Sequence, residues 1–539
     1  MRLSLRITVG ALAATLALAA CSGGTDPADD SADTSSSTGT GGAISIGVTE
    51  PGQLIPGRQT VAYDFSMAVW APLTFIDDQS NLTYVQAESI ESDDATTWTI
   101  TLKDGWTFHD GTPVTAQSYV DAWNTVAYGP NAFENSGQLA NVVGYGDLNP
   151  AEGDPTTTEM SGLTVVDDLT FTVELVGPDS QFPMQVSQAQ TAMYPMPESA
   201  LADLDAYNTH PVGNGAFELT GDYVEGSPLV VTAYPDYQGD PPTVSQITFV
   251  PYTDTGTAYT DVLAGNLDVS SLPADKMAQA ATDFGDHVYS FEAPGISFLG
   301  LPLWDERYSD IRVREAISMA IDRDTINQVI YGGLYTPATA WTPGIEPGTP
   351  EGICGEYCEY HPDEAKALLE EAGGFEGDME IYYPGGVGLD EFYTAIANNI
   401  RQNLGINAYA SPSTDWAEFY QTRLDGDVPG PFFSRWGALY PSQQNTLRVF
   451  FVEGGGCDMC IPWYDPEVAT LIAQADATVD SADAADAYAT VQQRIQDEFP
   501  APPLFWEAYS YVTSDRIAKL NTSAAGNPNY SQTILVDGA

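Results

Sequence analysis

Four cysteines in two close pairs, Cys354 with Cys358 and Cys457 with Cys460, have the spacing that most directly suggests chemistry. CxxxC and CxxC can close disulfides or hold zinc, and CxxC can also serve as a redox dithiol. Four cysteines leave three pairings open. In an exported chain two local loops, 354–358 and 457–460, are expected, with a four-Cys zinc site as the alternative. Gly454, Gly455 and Gly456 ahead of Cys457 read as loop, not as the strand-to-helix entry of a redox motif. His109, His210, His287 and His361 lie far apart, and a lone histidine is usually a satisfied polar group. No GxSxG, HExxH or Walker A pattern is present, and none of Lys103, Lys276, Lys366 and Lys519 follows a glycine. Carboxylates are too plentiful for any pair to mark glycosidase chemistry. A secreted hydrolase is thereby disfavoured, and no motif calls for a cofactor or a metal.

The charge balance narrows the partners. With 75 acids against 17 bases the net charge is -58. Such a chain cannot hold nucleic acid by neutralising phosphates, and an anionic membrane would repel it unless something else anchors it. Disorder does not follow, because 43% of residues are hydrophobic and 11% aromatic. Arg2 and Arg6 open the chain, an apolar run follows from Ile7 to Ala20, and Leu18-Ala19-Ala20-Cys21 closes it. That order resembles the bacterial lipoprotein signal: residues 1–20 as signal peptide, cut before an acylated Cys21. Residues 21–42 would then be the lipidated cysteine and a Ser/Thr/Gly/Asp tether with a reach of roughly 25 Å. The expected address is the outer face of the cytoplasmic membrane, reached by lipid alone.

The elements that must position any site are of mixed α/β type. Strands are expected at 43–49, 96–102, 229–233 and 246–250, with a hairpin of 163–166 and 169–175 across Asp167-Asp168. After residue 300 helical stripes are clearer. Ser309-Asp310 can cap a helix carrying Val313, Ile317, Ile321 and Val329 and closed by Gly332. Pro362 starts another, Phe392, Ile396, Ile400 and Leu404 make a third stripe that ends at Gly405, and 465–478 and 482–498 are two more. The length suggests about three to four domains.

Several blocks, in order, resemble the extracytoplasmic solute-binding proteins of peptide ABC importers, the oligopeptide- and dipeptide-binding group of solute-binding family 5. They are the strand–turn block from Thr97 to Ala116, the turn Pro211 to Phe217, Tyr234-Pro235-Asp236-Tyr237, Leu263 to Asp268, the helix Ile311 to Thr325, His361 to Gly373, and Gln496 to Leu504. The resemblance implies a periplasmic-binding-protein-like α/β fold, two lobes around a hinge with an extra third domain. Domain I would comprise 43–65, 205–296 and 506–539, domain II 66–204, and domain III 297–505. It implies a monomer that takes a peptide between lobes and presents the closed state to an ABC permease and its ATPase subunits. An oligosaccharide or other small solute on the same fold is the first rival, and a surface adhesin or sensor another.

The resemblance also implies a site. The ligand loop of the third domain would be Arg435, Trp436, Gly437, Leu439 and Tyr440, and Arg423 would meet a ligand carboxylate or a pocket salt bridge. Arg58, Gln59 and Thr60 fall where the first domain meets ligand backbone, and Phe133 and Asn135 where a lid residue is supplied. Where relatives carry an Asp after the Trp, this chain has Leu439. Free di- and tripeptides are therefore expected to bind weakly, and longer, blocked or uncharged ligands better.

Overall fold

The computed structural model describes residues 41–189, 191–457, 459–523 and 527–536. The expected signal segment, Cys21 and the tether as far as residue 40 lie outside the described residues. Residues 41 and 42, read as the end of the tether, already belong to the strand Gly41–Val48, held by the Gly41 amide on the Thr243 carbonyl at 2.9 Å.

One large sheet organises the chain. Gly41–Val48 pairs in parallel with Val244–Pro251, beyond which Leu229–Ala233 and Phe217–Leu219 add antiparallel strands. At the far end Ala408–Pro412 and Met379–Tyr383 run parallel and reach Phe432–Gly437. Two long antiparallel strands, Val288–Gly300 and Pro503–Thr513, join these halves. They carry the sheet from one core to the next. One core holds Ile44, Phe65, Trp123 and Phe249. A second holds Ile317, Ile396 and Phe505, and a third Phe298, Trp341 and Phe450. A separate four-stranded sheet has the order Ala87–Glu91, Thr97–Leu102, Thr170–Glu174, Leu163–Asp167. Its central strand alternates, with Trp98, Ile100 and Leu102 inward, as expected of a sheet with one wet face.

The register of the two joining strands breaks at one place. Glu292 pairs with Ala508 and Ile296 with Trp506, so three residues are spent against one. The extra residues are Ala293-Pro294-Gly295, and Pro294 has no N–H to give the ladder. Thr336–Pro337 takes up the edge at Phe505 and Trp506.

The helices follow their stripes with one correction. The helix expected from Asp310 to Gly332 is two, Ile311–Met319 and Arg323–Ile330. Asp322 caps the second, accepting from the Thr325 amide at 3.0 Å, while its own amide is taken by Asn399. Arg323 is buried and donates to the Ser318 and Pro503 carbonyls, which fixes the break. Val329 consequently points outward, 67% exposed, instead of extending the core stripe. Asp390–Leu404 ends at Gly405, whose φ of 71° suits glycine. Helices Ala116–Ala127, Trp416–Leu424 and Gln443–Phe451 had no counterpart among the expected elements.

Candidate functional site

Strand Phe432–Gly437 runs beside the register break and ends in the loop 438–441. Gly437 pairs with Gly295, Trp436 with Ile296 and Arg435 with Ser297, and the Ala438 amide donates to the Pro294 carbonyl at 2.7 Å. The loop is thus pinned to the bulge between the two halves of the sheet. Trp436 is half-buried, with its indole N–H on Asn445 Oδ1 at 2.8 Å. Leu439 is 36% exposed and presents only an apolar side chain. Tyr440 is buried, with its hydroxyl on Gln444 Oε1 at 2.9 Å and Gln185 Nε2 at 3.3 Å, so it serves a contact with residues 179–188. Burial, and then the Asp179 carboxylate, hold its hydroxyl above the usual phenol range.

On the other face of that strand Arg435 reaches across Gly295 to Glu507 of the joining strand. Its Nε lies 2.7 Å from each carboxylate oxygen and Nη2 2.5 Å from Oε2. A Cβ on Gly295 would stand 3.2 Å from Glu507 Oε2, so glycine leaves the pair its room. The Glu507 carboxylate and its hydrogen bond raise Arg435 above the usual guanidinium range against the opposing cost of burial. Tyr331 and Tyr335 stack at 4.4 Å beside Phe505, and Tyr509 lies under Gly437. Burial first, then the charge of Glu507, raises the Tyr335 hydroxyl.

Arg423 sits on helix Trp416–Leu424. It is buried, with its guanidinium carbon 5.6 Å from the Phe419 ring centre and 5.3 Å from that of Tyr420. No described residue gives its guanidinium an ion pair or hydrogen bond, and its Nε is buried without a partner. Burial lowers its affinity for the proton. The salt bridge expected as one of its roles is therefore not formed with any described residue. Trp416, Tyr420 and Leu424, four residues apart, form an exposed stripe on the same helix, 48%, 47% and 38% exposed.

The first-domain candidates and the lid candidates form a separate cluster. Asn135 Nδ2 donates to the Gln59 carbonyl at 2.7 Å, and its amide to the Gly57 carbonyl at 2.8 Å. Arg58 lies 4.7 Å over the Phe133 ring and donates to the Asn131 carbonyl. Gln59 is fully buried and spends its side chain on the Ala62 carbonyl and the Ser66 hydroxyl. Of the five, Thr60 alone is exposed. Arg58, Gln59, Phe133 and Asn135 thus brace two loops on one another, with Thr60 left outside the contact.

Cys354 pairs with Cys358 and Cys457 with Cys460, which leaves no thiolate for the zinc alternative. Among the described residues no group of three or more His, Cys, Asp or Glu is placed to hold a metal. A groove of about 1830 Å³, lined by Trp98, Gln181, Glu346, Ser442 and Tyr488, borders none of the predicted site residues. It runs beside the contact between residues 179–188 and 440–448 and meets the loop only at its end, Pro441.

Sequence reasoning missed Glu507, the tyrosines around it and the Trp416 stripe. The signal for Glu507 was present, a lone acid inside Pro503–Thr513, whose other residues are almost all buried.

With this geometry in place, the chain can be set beside known proteins. The family described as "Bacterial extracellular solute-binding proteins, family 5 Middle" matches residues 81–456. The periplasmic murein peptide-binding protein MppA of Escherichia coli is 27% identical over 83% of each chain. The periplasmic oligopeptide-binding protein OppA of Salmonella typhimurium is 25% identical over 78% of each. The solved structure titled "MppA Periplasmic Murein Tripeptide Binding Protein, Unliganded Open Form" superposes with a TM-score of 0.80 at 21% identity, covering 92% of this chain and 97% of that one.

Proposed function

The chain belongs to the bacterial extracellular solute-binding proteins, family 5, binding proteins rather than enzymes, and from that premise we propose that it is the lipid-anchored receptor of an ABC importer, capturing oligopeptides and delivering them to a membrane permease. Arg423 carries the peptide reading. In a chain with 75 acids and 17 bases, a buried arginine that no described carboxylate partners can take an anion brought from outside. A peptide's terminal carboxylate is of the right charge and planar geometry to take it. The loop 436–440 and the joining strands form the floor, and closure of the lobes about the register break would shut water out. Domains I (43–65, 205–296, 506–539), II (66–204) and III (297–505) are the moving parts of this proposal, and Cys21 is its anchor.

The exposed aromatic stripe of Trp416 and Tyr420 supports a second reading, an oligosaccharide whose sugar faces stack on these rings. Calorimetric titration of the purified protein with a mixed peptide pool and with short oligosaccharides separates the two. Saturable binding of peptides alone is expected, and saturation by sugars with silent peptides would reverse the order. For the anchor, Cys21→Ser should release the protein from the membrane fraction; equal retention of the variant would refute lipidation.

A further inference from the structure

At the register break an acid and a base of the floor, Glu507 and Arg435, are locked together. Glu507 is 6% exposed at its side chain, and both its oxygens lie on Arg435, which is 41% exposed toward the open side. Cross-strand pairing puts Arg435, Ser297 and Phe505 in one row, and alternation adds Glu507 to the same face. Glu292, the other acid at the break, pairs with Ala508 and lines a small cavity together with Glu507. The side chain that the neighbouring loop exposes is Leu439, which carries no charge.

We propose that Arg435 is a built-in occupant of the Glu507 carboxylate and makes the cleft select ligands without a free amine at this point: N-blocked or internal peptide segments, or other acetamide-bearing chains. The proposal rests on the reading of this chain as a receptor for peptide-like ligands. A ligand ammonium here would meet either the guanidinium, which repels it, or a carboxylate already spent on a bidentate partner. To take Glu507 it must expel Arg435 and break the two-pronged, charge-assisted contact the pair already makes. A neutral ligand leaves the pair intact. Arg435 Nη1 is not used on Glu507 and can donate to a ligand carbonyl. The hydroxyls of Tyr331, Tyr335 and Tyr509, which bond to no described residue, can serve its amides.

The test uses the full chain and one tetrapeptide in two forms, with a free amine and N-acetylated. Calorimetry of the wild type should show the acetylated form binding at least ten-fold more tightly. Arg435→Ala should shrink or reverse that ratio by ten-fold or more, and Arg435→Ala with Glu507→Gln should cancel the gain in amine binding. Arg435→Met, which keeps the apolar stem, serves if the alanine variant melts early. Tighter wild-type binding of the free-amine form, or an unchanged ratio in a folded Arg435 variant, overturns the proposal. If neither peptide form binds, the peptide reading fails, and the same filter is read with chitotriose and its triacetyl form. Preference for the triacetyl form that Arg435→Ala removes upholds the filter; equal binding or none overturns it.

Discussion

The side-chain amide of Gln444 donates to Asp179 Oδ1 at 2.7 Å, across the contact between residues 66–204 and 297–505. The same nitrogen donates to Asp476 Oδ1 at 2.9 Å, so one amide stands between two buried carboxylates. Arg448 and the Tyr488 hydroxyl supply the rest of Asp476's partners, and the Ser180 amide closes on the Asp476 carbonyl at 2.8 Å. With Ser442 on Gln181 and Ser80 on the Ile345 carbonyl, the contact ties these two blocks together by polar groups.

Gln444→Leu removes both donations, while Asp179 keeps the Gln181 amide, Gln185 and Asn141, and Asp476 keeps Arg448 and Tyr488. Losing two hydrogen bonds to buried carboxylates costs about 1.5–3 kcal/mol. Urea unfolding of the variant should therefore show a clear loss of stability. A loss below about 1 kcal/mol would mean that water replaces the amide.

The cysteines give a redox expectation. Both local loops are short, so each bond stabilises by at most about 2–3 kcal/mol. Mass spectrometry after non-reducing alkylation should find no free thiol among Cys354, Cys358, Cys457 and Cys460. Reduction should lower the unfolding midpoint modestly without abolishing the fold. Four alkylated cysteines or stoichiometric zinc would contradict the pairing.

Two half-buried groups should tilt the pH dependence of stability in opposite directions. His109 is pushed down to about 4 by burial, against the raising effect of its bond to the Gly215 carbonyl. Below its ordinary value of 6.5 the unfolded chain binds the proton and the native one does not, so its contribution is present above pH 6.5 and lost on acidification toward 4. Asp64 is raised to about 6, also by burial. Between 3.8 and 6 the native chain holds the proton, so this group's cost is absent at low pH and grows as pH rises through 6. Each effect is at most about 3 kcal/mol. Urea unfolding across pH 4 to 6.5 should show stability rising with pH more steeply in Asp64→Asn than in wild type. In His109→Gln it should fall with pH. Parallel curves in the two variants would show that neither group titrates as its burial dictates.

The strands and most of the helices were legible because their periodicity is local. Trp98, Ile100 and Leu102 alternate, and Phe392, Ile396, Ile400 and Leu404 recur at helical spacing. The break at Asp322 was not, since a stripe through Ile321 and Val329 is continuous on paper and only the buried bonds of Arg323 to Ser318 and Pro503 end it. The site was legible as segments rather than as partners. Trp436 and Tyr440 flag the loop, yet nothing local says that Tyr440 turns to Gln185, or that Arg435 finds Glu507 at 72 residues' distance. Pairings of that kind depend on strand register, which is set by the whole sheet.

Arg423 separates stability from binding. A guanidinium held against Phe419 and Tyr420 with a buried, unpartnered Nε forms an ion pair with no described residue. Its removal should therefore cost little: Arg423→Leu keeps the packing volume and should change unfolding free energy by less than about 1 kcal/mol, or raise it. Binding should respond differently. If a ligand carboxylate pairs with the guanidinium, the variant loses a charge-assisted, two-pronged contact formed only in the complex. The expected loss is at least ten-fold in affinity, about 1.4 kcal/mol, for a peptide with a free carboxyl terminus. The same peptide as its C-terminal amide should bind the wild type and the variant alike. Calorimetry with both peptides and both proteins completes a double-mutant cycle in which the coupling lies between Arg423 and the carboxylate. A destabilised variant with unchanged affinity would instead make Arg423 part of the scaffold and leave Nη1 of Arg435 as the donor to the ligand's carboxylate.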